Sequence, residues 1–360
     1  MNNRIVVTYN NNPKVEILGE NKEEYFIEFI DSENKEVIYS DTIKNNMWTS
    51  CSRKWFTNWV IKINGKIFDR FNLENKRVYI ELDSKAMGDT IAWTPYVVKF
   101  AKKHNCKVVC TTFHNEWFEN ILDYKDIEFV EHGKANDYYV KYNIGWFKNL
   151  EGNSWNREEM NPTQVNLIPL QQTATDILGL EFNELNYGID IGNNKRPIKN
   201  KYVVFGPQAT SGCKEWEINK WKELSIKFIE KGYQVVICSL HSYNIPNTIE
   251  CNKSLEDTAT YLKYADIFIG LGSGLSWLNW ALNKTTYMIN GFAKEGHEFT
   301  KNLTKITNNI CIKCWNDPVY TFDPGDWNWC PVYKGSKLQF ICQKSITVDQ
   351  VLNNIQWKIK

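Results

Sequence analysis

At 360 residues the chain is too long for one ordinary core and suits two domains with an appendage. Apolar residues at 42% and charged residues at 24% are the balance of a packed globular protein, which excludes a disordered or fibrous chain. With 43 basic against 42 acidic side chains the formal charge is +1, so no bulk field draws the protein to nucleic acid or to an anionic membrane, and any anion it binds must be caught locally.

The opening MNNRIVVTYNNNP lacks an apolar core of signal-peptide length, and no later stretch approaches ~18 uninterrupted apolar residues, so a cytoplasmic protein without a membrane span is expected. Tyr25 to Ile43 alternates apolar and polar residues around a polar turn, and Trp59 to Phe68 repeats the pattern around Asn64-Gly65, a strong hairpin signal. Residues 1–75 are therefore expected to form a β-rich hairpin unit. The rhythm then changes. Arg77 to Leu82 predicts a buried strand, Asp83 to Gly88 a loop, Asp89 to Lys103 a helix and Lys107 to Thr112 a second strand, the βαβ start of a parallel sheet. Pro95 inside that helix predicts a kink, or a start nearer Trp93.

Thr163 to Gly179 reads as helical, and the polar IGNNKRPIKNK beginning at Ile191 reads as a linker that closes a first Rossmann-like unit, 76–198. From Tyr202 the βα rhythm restarts. Strands at Tyr202 to Phe205, Gln234 to Ser239, Asp266 to Leu271 and Thr286 to Asn290 alternate with helices at Asn219 to Gly232, Ser254 to Tyr264 and Gly274 to Leu282. These belong to a second unit, 199–360, whose last helix, around Val348 to Ile355, packs on its own half or crosses to the other. Two α/β halves facing across a cleft hold ligands at the carboxyl ends of their strands.

Four constellations carry chemistry. The first, Ser84-Lys85-Ala86-Met87-Gly88-Asp89-Thr90, leaves a strand and enters a helix. Gly88 allows close backbone approach and the helix start offers unpaired N–H groups; Asp89 is either an N-cap or a general base aimed into the cleft. The second, Gly206-Pro207-Gln208-Ala209-Thr210-Ser211-Gly212-Cys213-Lys214, follows the first strand of the second half. Its small and hydroxyl residues can converge on phosphate with Lys214 as a point charge; since Walker spacing is absent, a surface lysine in a polar loop is the alternative.

The third, Gly270-Leu271-Gly272-Ser273-Gly274-Leu275-Ser276, runs from a buried strand through a Gly/Ser turn into a helix, whose positive end suits a diphosphate, although a tight βα connection calls for glycine anyway. The fourth is Cys311-x-x-Cys314 followed by Cys330 and Cys342, spaced for a tetrahedral four-thiolate knuckle around one metal ion, with free thiols or disulfides as the alternative. Such a closed set leaves no open position and is structural. The other six cysteines are scattered and read as buried or incidental thiols, and the fifteen tryptophans as core and interface mass. No basic clusters interleave them as a nucleic-acid binder requires.

In this order the four constellations resemble the heptosyltransferase group of glycosyltransferases, and more closely the bacterial autotransporter O-heptosyltransferases. Met87-Gly88-Asp89 resembles that group's motif for the catalytic base, Gln208 to Trp216 its phosphate loop with Lys214, and Gly272-Ser273-Gly274-Leu275-Ser276 its diphosphate turn. Lipopolysaccharide heptosyltransferases usually carry Asp-Thr-Gly-Leu and a nearby His; here stand Gly-Ser-Gly-Leu and Trp277, which counts against a lipopolysaccharide acceptor. The string Cys311-Ile312-Lys313-Cys314-Trp315-Asn316-Asp317-Pro318, with Trp329-Cys330-Pro331 and Cys342, matches the protein-modifying branch, where such cysteines accompany iron; four thiolates would equally accept zinc.

The resemblance implies a GT-B fold of two Rossmann-like domains, with an N-terminal hairpin unit and a cysteine finger over 311–342. It also implies an inverting transfer of heptose from ADP-heptose to Ser or Thr hydroxyls of a protein such as an autotransporter, without a divalent ion at the diphosphate. Asp89 and Lys214 would be catalytic, and Gly88, Thr90, Gln208, Thr210, Ser211, Gly272, Ser273, Gly274, Leu275 and Ser276 would hold the nucleotide sugar. Homo-oligomers are compatible with it. Rival readings are a GT-B enzyme using a UDP or GDP sugar and a catalytically silent scaffold. A redox protein is disfavoured by the closed ligand set and the lack of a flavin or nicotinamide fingerprint.

Overall fold

The computed structural model describes residues 3–357 apart from Asn153, Asn193, Lys253 and Pro324. Residues 1–2 and 358–360 of the expected outer units, Asn193 of the expected linker and Pro324 of the cysteine segment thus lie outside the described residues. The chain opens with strands β1 (Arg4–Thr8), β2 (Lys14–Leu18), β3 (Tyr25–Asp31), β4 (Glu36–Ile43), β5 (Met47–Ser50), β6 (Trp59–Ile63) and β7 (Lys66–Arg70). They make two antiparallel sheets, ordered β1-β2-β5 and β4-β3-β6-β7. The β6–β7 hairpin turns on Asn64 and Gly65, both with φ in the left-handed region (49° and 75°), which matches the twist of the flanking strands.

A parallel sheet follows. β8 (Arg77–Leu82) leads to α1 (Met87–Trp93) and α2 (Pro95–His104), then come β9 (Lys107–Thr111), β10 (Ile127–Phe129) and β11 (Val140–Ile144), in the order β10-β9-β8-β11. The helix expected from Asp89 to Lys103 starts two residues earlier and divides at Thr94, because Pro95 cannot donate a helical hydrogen bond and instead opens α2. The helix expected over Thr163 to Gly179 shrinks to α3 (Gln172–Ile177). Pro169 interrupts the pattern, and the Leu170 N–H is drawn to the His297 carbonyl at 2.9 Å rather than into a helix.

The second parallel sheet is built from β12 (Tyr202–Gly206), α4 (Ile218–Glu230), β13 (Gln234–Cys238), β14 (Ile249–Cys251), α5 (Leu255–Tyr264), β15 (Ile267–Leu271), α6 (Gly274–Ala281), β16 (Thr286–Ile289) and β17 (Leu303–Ile306). Its order is β14-β13-β12-β15-β16-β17. After an irregular cysteine-bearing stretch come α7 (Ile341–Lys344) and α8 (Val348–Asn354), and α8 packs on β16, β17 and α4, so it stays with its own half. Among the described residues no helix is long and apolar enough to cross a membrane.

Strand order decides where a ligand can sit. In the first sheet the winding reverses between β8 and β11, in the second between β12 and β15, and at such reversals the loops splay apart to leave a crevice. The two crevices meet. α1 touches α6, and the approach is close enough that a Cβ on Gly88 would stand 3.0 Å from the Trp277 ring and one on Gly274 3.1 Å from Met87 Cε.

Candidate active site

Loops after β8, β11, β12 and β15 line a cavity of about 480 Å³ between the two sheets. The structure gathers Gly88, Asp89, Gln208, Thr210, Lys214, Gly272, Ser273, Gly274 and Leu275 around it. Three other residues singled out from the sequence turn elsewhere. Thr90 is fully buried inside α1, Ser276 Oγ donates to the Leu271 carbonyl at 2.6 Å, and Ser211 Oγ pairs with Cys213 Sγ at 3.0 Å. A larger depression of 760 Å³, lined by Tyr39, Arg53, Trp55 and Glu158 among others, receives none of these loops.

Asp89 is the third residue of α1 and does not cap it; the cap position is Ala86. Freed from capping, its carboxylate accepts a 2.6 Å hydrogen bond from Ser84 Oγ. It lines the cavity. Burial pushes its carboxyl up to about 6, with the Ser84 hydrogen bond and the charge of Lys214 pulling the other way. The charge that reaches across the cleft to Asp89 therefore comes from the opposite half.

Lys214 ends a short turn after β12, with its Nζ 5.8 Å from the centre of the Phe292 ring and 5.9 Å from that of Trp315. The glycine turn after β15 is needed for space: a Cβ on Gly272 would stand 2.8 Å from Asn290 Nδ2. Ser273, the residue before α6, presents a buried hydroxyl that has no hydrogen-bond partner among the described residues. An unpaired hydroxyl at a helix start is where an anionic ligand gains most.

Trp146, Leu170, Phe292, His297 and Glu298 complete the wall beside Asp89 and Lys214. Burial holds His297 down at about 4, hence neutral; Trp315 Nε1–H donates to its Nε2 at 2.8 Å, which leaves the ring proton on Nδ1, facing the Ile168 carbonyl at 3.0 Å. Against the upward push of burial, the charge of Lys305, 3.2 Å away, keeps the Glu298 carboxyl below its ordinary value, and Asn290 Nδ2 donates to it at 2.5 Å. Sequence reasoning missed these wall residues. Trp146 sits just past β11 and His297-Glu298 in the loop beyond β16, so knowing the strand order would have found them.

Among the described residues none of the ten cysteines is joined in a disulfide. Cys311, Cys314, Cys330 and Cys342 gather within electrostatic range of one another: burial first, and then the neighbouring thiols, hold Cys314 high and push Cys342 up to about 12. Buried thiols that obstruct each other's ionisation are the donors a soft cation relieves, so the residue types fit iron or zinc. Their spacing is wider than a closed shell: among the described residues no three His, Cys, Asp or Glu side chains stand close enough to hold a metal.

Residues 181–321 match the sequence pattern of glycosyltransferase family 9 (heptosyltransferase). The autotransporter heptosyltransferase Aah of Escherichia coli is 30% identical over 360 aligned residues, which span 93% of this chain and 89% of Aah. The chain belongs to the autotransporter heptosyltransferases. It is a glycosyltransferase, and the inactive autotransporter heptosyltransferase BimC of Burkholderia thailandensis is a relative at 29% identity over 85% of this chain and 75% of BimC. The crystal structure of the iron-containing dodecameric glycosyltransferase TibC from enterotoxigenic E. coli shares its fold with a TM-score of 0.85 at 25% identity, over 98% of this chain and 94% of TibC. TibC has also been crystallised with ADP-D-beta-D-heptose, at a TM-score of 0.84 to this chain. The α/β, GT-B architecture of this heptosyltransferase is thus the one its relatives share.

Proposed function

We propose that this heptosyltransferase moves a heptose from ADP-heptose onto a serine or threonine hydroxyl of a protein acceptor, with inversion at the anomeric carbon. The reading is carried by Asp89 and Lys214, supplied by opposite sheets to one cavity. Asp89 takes the acceptor proton as the new oxygen–carbon bond forms, while the bond from the anomeric carbon to the phosphate oxygen breaks and its electron pair leaves with ADP. Lys214, the start of α6 and the Ser273 hydroxyl receive the charge that builds on the diphosphate. Ser239, Leu240, Leu255 and Thr258, at the far end of the cavity, leave room for the nucleoside.

Cys311, Cys314, Cys330 and Cys342 would hold an iron ion, or zinc, as a structural cross-link without an open position for substrate. The chain divides into a hairpin unit over 1–75 and sheet domains over 76–198 and 199–360, and it acts on an autotransporter or similar polypeptide in the cytoplasm. The dodecameric TibC supports assembly from several copies. BimC, an inactive relative, raises the alternative of a silent scaffold. Asp89 and Lys214 at a common cavity favour an enzyme.

Calorimetric binding of ADP-heptose, ADP, UDP and GDP is the direct test, followed by mass-spectrometric detection of heptose on a serine-bearing autotransporter fragment. Selective binding of the adenine nucleotides with transfer supports the reading; selectivity for UDP or GDP discards the donor, and no binding at all returns the scaffold.

A further inference from the structure

The loop that carries Lys214 closes one tight turn of its own, with the Lys214 N–H on the Ser211 carbonyl at 3.0 Å and the Glu215 N–H on the Gly212 carbonyl at 3.2 Å. It is strung between two points of the cysteine-bearing stretch. On one side the Gly212 N–H and Ser211 Oγ–H both donate to the Trp327 carbonyl, at 3.1 and 3.3 Å, and a Cβ on Gly212 would stand 2.9 Å from Trp327 Nε1. On the other side lies Gln343, fully buried in α7 next to Cys342. Its Nε2 donates to the Lys214 carbonyl at 2.9 Å and to the Ile289 carbonyl at 3.2 Å, while its Oε1 accepts the Gly291 N–H at 2.9 Å.

One carboxamide thus joins three backbone segments: the Lys214 turn, the end of β16, and the loop whose Phe292 ring lies below Lys214 Nζ. Two donors and one acceptor meet two carbonyls and one N–H, so every polar group is matched. We propose that Gln343 is a positioning residue for Lys214: through it and Trp327, the cysteine segment sets where the lysine charge stands against the donor diphosphate. The inference rests on the reading of Lys214 as a diphosphate contact. It gives the cysteine segment a task beyond holding its own shape.

The test is a double-mutant cycle on the full-length protein, with affinities for ADP and for adenosine, which lacks the diphosphate, measured by calorimetry. Gln343→Met keeps length and removes all three bonds. It is expected to weaken ADP about ten-fold, the size of one well-placed buried hydrogen bond, and to leave adenosine within about two-fold. Lys214→Ala should weaken ADP at least as much, and the double variant no further than Lys214→Ala alone, because the two residues act through one contact.

Equal losses for ADP and adenosine, additive losses in the double variant, or unchanged ADP binding in Gln343→Met would each overturn the proposal. If Gln343→Met does not fold, Gln343→Asn, an amide too short to reach all three partners, is measured for the same selective loss; failure of both to fold assigns Gln343 a structural role only. Should Lys214→Ala itself leave ADP binding unchanged, the diphosphate reading of Lys214 fails and takes this proposal with it. An effect of Lys214→Ala with none from Gln343→Met removes the positioning role alone.

Discussion

Asp89 and Lys214 occupy comparable places, each in the first turn that follows the strand beginning its parallel sheet, yet they are held by different means. The Asp89 loop is self-contained: Ser84, five residues away, supplies the hydrogen bond, and Ser84 Oγ also accepts the Ala86 N–H at 3.1 Å to shape the turn. The Lys214 loop leans on residues 116 and 129 positions downstream, Trp327 and Gln343. Damage near Asp89 should therefore disturb proton transfer alone, while damage to the distant cysteine segment should disturb the donor side alone.

Asp89→Asn gives the largest expected effect. Turnover of heptose transfer falls by roughly 100- to 10,000-fold while ADP binding is retained; turnover kept near wild type would remove Asp89 as the base. Next comes Cys314→Ala, which should lower bound iron, read by elemental analysis, and weaken ADP by about ten-fold as Lys214 loses its support. Unchanged ADP affinity in an iron-depleted protein would dissolve the contrast between the two loops.

The carboxyl near 6 predicts a pH profile. Since the base must be ionised, kcat/KM should rise with pH through about 6 and level off above it, with the same limb in Cys314→Ala. Folding carries the opposite sign. The folded carboxyl holds its proton to higher pH than the unfolded one, so stability is lost as pH rises from about 4 to 6, and Asp89→Asn should melt a few degrees higher at pH 8 with the gap closing below pH 4. A melting difference independent of pH would refute the burial argument. Ser84→Ala should produce the smallest change, moving the acid limb upward by less than about one pH unit, because the Ser84 bond favours the ionised carboxylate.

Val78-Tyr79-Ile80 and Tyr202 to Phe205 are legible as the centres of buried strands because parallel strands covered on both faces favour continuous apolar side chains, and Asn64-Gly65 is legible as a turn because few other pairs accept two positive φ angles. Asp89 as a helix cap is a reasonable local inference that the structure corrects: α1 begins at Met87, so the carboxylate has nothing to cap. Pro169 marks where the Thr163 to Gly179 pattern fails, its missing N–H outweighing the spacing of apolar residues. Gln343, in a helix of four residues, carries no local mark of its three backbone partners.

Residue order along the chain settles elements, turns and short motifs, because helical and strand hydrogen bonding and side-chain periodicity act over a few neighbouring positions. Which loops meet is a matter of strand order. Only when β8 and β11, and β12 and β15, lie side by side do Asp89, Trp146, Lys214 and His297 share a wall, and only then can an amide 129 residues away hold the lysine's backbone in place.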